Sequence, residues 1–125
     1  MTACHSTELT AADARRLGQE RMEKAAPGVT KELAAAGATF EVKASDRPET
    51  ECFVELMTPD YLEYLDREFP QRAAYLRDLA QILTGRLHYA VEIRLPEPAG
   101  TPGEGLISCM FFDSRTGEFI SGIRL

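Results

Sequence analysis

LHYAVEIRL, residues 87–95, decides how the chain reads. Strict alternation of apolar and polar residues marks a half-buried β-strand. Leu87, Tyr89, Val91, Ile93 and Leu95 project to one side, and His88, Ala90, Glu92 and Arg94 to the other. On the polar side a histidine, a carboxylate and a guanidinium share one face. Residues two apart on such a face are separated by ~7 Å, so His88 and Glu92 lie ~13 Å apart and form no dyad within their own strand. A partner for His88 would have to come from an adjacent strand, with Glu41, Glu55, Asp113 and Glu118 as candidates. Otherwise this is expected to be the wet face of an antiparallel sheet.

Strand patterning continues on both flanks. Downstream, the Pro/Gly-rich loop PEPAGTPGEG (96–105) leads to LISCMFF (106–112), the turn DSRTG, and EFISGIRL (118–125). The glycine ending DSRTG suits the positive φ of a type I turn followed by a bulge, which predicts a hairpin. Upstream, ATFEVKA (38–44) alternates Phe40 and Val42 with Glu41 and Lys43. ECFVELM (51–57) sets Cys52, Val54 and Leu56 against Glu51, Phe53 and Glu55. The residues between, SDRPET, carry turn chemistry, so 38–44 and 51–57 are expected to pair.

Helix signals fill the remainder. Thr10 as N-cap, with Asp13 three residues on, makes a capping box that opens a helix running to about Ala26, where Pro27-Gly28 stops it. A short helix follows, with Thr30 expected at its N-cap and Gly37 beyond its end. Thr58-Pro59-Asp60 is a further start signal: an N-cap, a proline at the first position and an acid near the positive dipole end. From there Leu62, Leu65, Phe69, Leu76, Leu79 and Leu83 recur at helical spacing up to Gly85, and Pro70 predicts a kink or two helices meeting near Phe69.

The order α-α-β-β-α-β-β-β describes a single α+β domain over 1–125. It has a five-stranded antiparallel sheet covered on one face by the kinked 59–84 helix, two N-terminal helices and a loose tail at 1–8. The apolar side of 87–95 is expected to meet that helix. This element order is similar to the cone-like folds of the nuclear transport factor 2-like superfamily. The resemblance implies a curved sheet wrapping a helix and a pocket between them, and no specific function.

Net charge is −6, and its distribution is uneven. Residues 49–68 hold seven acids and a single base, Arg67, while acids and bases cancel on either side. Direct nucleic-acid binding through a basic face is not expected. Three cysteines (Cys4, Cys52, Cys109) without a CxxC pair point to a reducing compartment, with Cys52 and Cys109 as small core residues. No apolar run reaches the ~20 residues of a membrane helix, and the N-terminus lacks the apolar core of a signal peptide. A cytoplasmic protein with no membrane association is expected. Cys4-His5 has no second ligand pair, and GTPGEG (100–105) precedes a strand rather than a helix, so neither metal nor cofactor is assigned.

The acidic window marks the chain as a non-enzymatic interaction module, of adaptor, inhibitor or immunity-like kind. It would present Glu51, Glu55, Glu63 and Asp66 to a basic protein partner. A different class is a small-ligand or small enzyme domain. Its pocket would lie between sheet and helix and be lined by Tyr61, Tyr64, Tyr89 and His88. Phe53 and Ile120, apolar on otherwise polar faces, would suit a homodimer.

Overall fold

The computed structural model describes residues 9–49, 53, 57–96 and 105–124. The expected tail (1–8) and loop residues 97–104 fall outside that range. Helix α1 spans Ala11–Ala25 and opens on its capping box. The Thr10 hydroxyl accepts from the Asp13 N–H at 3.2 Å, and the Asp13 carboxylate accepts from the Thr10 N–H at 3.0 Å. Helix α2, Val29–Ala35, starts from Gly28 at φ 89° rather than from Thr30. The cause is Glu23 of α1. Its carboxylate accepts from the Gly28 N–H and the Thr30 hydroxyl, both at 2.6 Å, and so caps the helix that Thr30 was expected to cap.

Beyond β1 (Thr39–Ser45), the long apolar run forms α3 (Pro59–Glu68) and α4 (Pro70–Leu83). Thr58 caps α3, with Pro59 as its first residue. Phe69, at φ −141° and ψ 66°, ends one helix and starts the next, because Pro70 has no N–H to continue the ladder. Phe53 is helical, and its carbonyl accepts from the Met57 N–H at 2.8 Å. The strand expected over 51–57 is therefore wrong at Phe53; residues 50–52 and 54–56 lie outside the described set. Short apolar runs are ambiguous between helix and strand, and here the i to i+4 bond decides.

Strands β2 (His88–Arg94), β3 (Leu106–Asp113) and β4 (Phe119–Arg124) complete an antiparallel sheet in the order β1-β2-β3-β4. Four strands are present among the described residues, where five were expected. β1 pairs with β2, from Thr39 opposite Arg94 to Ser45 opposite His88, and most of 51–57, its expected partner, lies outside the described residues. The β3–β4 hairpin turns as its sequence predicts, with Gly117 at φ 77° and the Asp113 N–H on the Glu118 carbonyl at 2.9 Å.

Both faces of the sheet are covered, which reverses the expected arrangement. Val91, Ile93, Met110 and Phe112 meet α1 at Ala14, with Leu17, Met22, Phe40 and Tyr89 packed around them. Gly18 lets α1 lie close, since a Cβ there would stand 3.2 Å from both Met110 Cε and Val91 Cγ1. On the opposite face Ala90, Cys109, Phe111 and Ile123 meet Leu65, Leu76, Leu79 and Leu83 of α3 and α4. Each of these leucines is almost wholly buried, a contribution of about 2 kcal/mol apiece in hydrophobic transfer. The apolar side of LHYAVEIRL thus faces α1, and its polar side faces the helix pair. β3 supplies the reason: LISCMFF is apolar at successive positions, so both its faces seek cover.

Helix side chains blunt both outer edges of the sheet. Along β4, the Gly122 carbonyl accepts from the Tyr75 hydroxyl at 2.8 Å and the Arg124 carbonyl from Arg72 at 3.0 Å. Along β1, the Phe40 carbonyl accepts from Arg15 Nε at 3.0 Å. Occupied edge carbonyls give an incoming strand less to pair with. Phe53 and Ile120, the residues that suggested a dimer face, both pack into this chain's own core.

Candidate functional site

The polar side of β2 is not a wet face. His88 is 1% exposed and Glu92 0%. The His88 Nδ1–H donates to the Arg86 carbonyl at 2.7 Å, because a carbonyl can only accept. Nε2 is buried and without a hydrogen-bond partner among the described residues, beside the edge-on ring of Phe111 at 5.9 Å. Glu92 lies 3.0 Å from Lys43 Nζ across the β1–β2 pair, with an Arg94 nitrogen at 3.8 Å. Arg94 also reaches Glu41 at 3.5 Å. Of the four carboxylates that could have partnered His88, Glu41 is paired with Arg94 and Asp113 with Arg86 at 3.1 Å, while Glu55 lies outside the described residues. This is an internal charge ladder that lets a sheet face carry charge under a helix layer.

Two of the four acidic site residues are described. Asp66 is gripped by Arg77 of α4 through two hydrogen bonds of 2.7 and 2.8 Å, which hold its carboxyl below the ordinary range. It braces α3 against α4 and is little available to a partner. Glu63 is exposed, with Arg67 4.0 Å away. Glu51 and Glu55 lie outside the described residues.

The tyrosines do not converge on a pocket. Tyr89 projects to the α1 face, where its hydroxyl donates to the Leu9 carbonyl at 2.8 Å. Tyr61 and Tyr64 lie on the far side of the sheet, on α3, their rings stacked at 5.9 Å. Phe69 meets the edge of Tyr64 at 6.1 Å, and the two are 55% and 40% exposed. A run of aromatic surface therefore lies along α3, which also exposes the acids Asp60, Glu63 and Glu68. Phe69 was missed because its spacing assigned it to the core. Pro70 breaks the helix there and swings the ring outward.

A separate groove of about 630 Å³ runs beside β4. Met22, Val29, Met110, Phe119 and Ile123 supply apolar walls, and Arg21, Arg72 and Arg124 come to it from α1, α4 and β4. No sequence window contains any two of these arginines, so no local signal could have found them.

Cys109 is buried and disulfide-bonded. That corrects the reading of it as a small core thiol and removes the cysteine argument for a reducing compartment. The other two cysteines, Cys4 and Cys52, lie outside the described residues. Among the described residues no three His, Cys, Asp or Glu side chains cluster as metal ligands, and no helix is long and apolar enough to cross a membrane. The chain matches no known family model, no curated protein and no solved structure.

Proposed function

We propose that this domain is a non-enzymatic interaction module whose α3 face receives a cationic segment of a protein partner. The observation that carries the reading is the aromatic run Tyr61–Tyr64–Phe69 along a helix that also exposes Asp60, Glu63 and Glu68. Exposed aromatic surface of this kind is the usual mark of a contact site. Ring faces attract ammonium and guanidinium groups, and flanking carboxylates add a longer-range field that speeds encounter. Asp66, held by Arg77, serves this face as a brace for the two helices. Glu51 and Glu55 extend the acidic window in sequence.

The test is fluorescence anisotropy with labelled lysine- and arginine-rich peptides at low salt. Peptide binding should be lost in Glu63→Lys/Glu68→Lys and weakened about tenfold in Tyr64→Ala/Phe69→Ala, on the scale of two cation–π contacts. Equal binding by wild type and both variants would sink the proposal.

A further inference from the structure

We propose that the groove beside β4 binds a small apolar carboxylate, a hydrocarbon or aryl body with one anionic head. This site is separate from the α3 face and does not depend on the reading given to that face. Its volume of about 630 Å³ falls within the range of small-molecule sites. The walls contributed by Met22, Val29, Met110, Phe119 and Ile123 would take the body. Two methionines make such walls adaptable, since the unbranched thioether repacks readily.

The head is specified by charge. Arg21, Arg72 and Arg124 all line the groove, and none of its lining residues is acidic. Elsewhere Arg16, Arg47, Arg67, Arg77, Arg86 and Arg94 each stand within 4.0 Å of a carboxylate. Arg15, which has none among the described residues, is bonded to the Phe40 carbonyl, leaving Arg115 on the β3–β4 turn as the other arginine without one. Among the described residues, none of the three groove arginines has such a neighbour. In a chain with 20 acids and 14 bases, three guanidiniums without a carboxylate over one apolar floor are an uncompensated positive site.

Two of them are already oriented. The Arg21 guanidinium carbon lies 3.3 Å above the Phe119 ring centroid, which leaves its N–H edge free. Arg72 is steered by its bond to the Arg124 carbonyl. A guanidinium fork matches a carboxylate with two parallel hydrogen bonds, and an apolar floor strengthens them by excluding water. A polyanion such as nucleic acid is disfavoured, because the net charge of −6 opposes it beyond the groove. A single negative charge meets only the local field.

The experiment titrates the full chain, labelled with ¹³C at its methionine methyls, with decanoate and in parallel with 1-decanol. Decanoate should shift the Met22 and Met110 methyls saturably and leave Met57 unmoved. Affinity for decanoate should fall about tenfold in Arg72→Gln/Arg124→Gln, while affinity for decanol stays unchanged. Ala25→Trp places a bulky ring into the groove from an exposed helix position, and should abolish both shifts while circular dichroism stays native. The proposal is overturned by absence of saturable binding at ~1 mM decanoate, a range that weak sites still reach. It is equally overturned by undiminished decanoate affinity in the arginine variant, or by shifts confined to Met57.

Discussion

Tyr75 on α4 donates its hydroxyl hydrogen to the carbonyl of Gly122 on β4 at 2.8 Å and is also bonded to the Ser121 hydroxyl. The contact ties a helix lying over one face of the sheet to the open edge of that sheet. With the Arg72 bond to the Arg124 carbonyl, it occupies two edge acceptors that lie two residues apart and so point the same way. Tyr75→Phe should cost about 1 kcal/mol in urea unfolding, the worth of one ordinary hydrogen bond. Tyr75→Phe/Arg72→Ala bares both carbonyls, and sedimentation velocity should then show concentration-dependent self-association that wild type lacks.

The charge ladder under α3 and α4 separates two kinds of buried polar group. Glu92 is fully buried and depends on Lys43 at 3.0 Å, so Lys43→Met should cost about 2 kcal/mol. That is less than for a wholly isolated pair, because Arg94 remains beside Glu92. His88→Leu loses the bond to the Arg86 carbonyl but also removes a buried ring nitrogen with no hydrogen-bond partner among the described residues. The two effects oppose, and His88→Leu should stay within about 1 kcal/mol of wild type. Denaturant midpoints at neutral pH compare the two directly.

Acid stability should fall through carboxyls that serve as local caps. The Gly28 N–H, then the Thr30 hydroxyl, hold Glu23 below its ordinary range. At Asp113 burial pulls upward, but the N–H groups of Arg115 and Thr116 and the Arg86 guanidinium outweigh it, and the carboxyl is again lowered. Depressed folded values mean that this stabilisation is fully present above the unfolded carboxyl range of about 4 to 4.5. It is lost as pH falls through the lower folded values. Thermal melts between neutral pH and pH 2 should show a flatter acid limb for Glu23→Gln and Asp113→Asn than for wild type.

Reduction should weaken the fold. A disulfide restrains the unfolded chain, and removing one costs roughly 2 to 4 kcal/mol. Melting with and without dithiothreitol should show a lower transition for the reduced protein. Alkylation under non-reducing, denaturing conditions should leave Cys109 unmodified. An alkylated Cys109 would contradict the bond.

Local chemistry was legible wherever it closes within a few residues. Thr10 with Asp13, Thr58 with Pro59, the break at Pro70 and the positive φ of Gly117 are each written in windows of at most five positions, and each stands where the residues placed it. The exception at Thr30 is instructive. Its cap comes from Glu23, seven residues back and on another helix, so the nearest capping residue was the wrong one.

What the sequence by itself determined is the run of local elements: helix starts and stops, the strands around LHYAVEIRL, and the hairpin at DSRTG. Tertiary structure decided which strand lies beside β1, which face of β2 meets which helices, and that His88 and Glu92 are buried. It also assembled the β4 groove, with arginines 21, 72 and 124 drawn from three elements. The physical reason is range. Caps and turns are settled by hydrogen bonds between near neighbours. Burial and strand pairing depend on apolar surface contributed by distant segments, and the two-faced apolar run of β3 turned a strand with one polar side into the centre of the molecule.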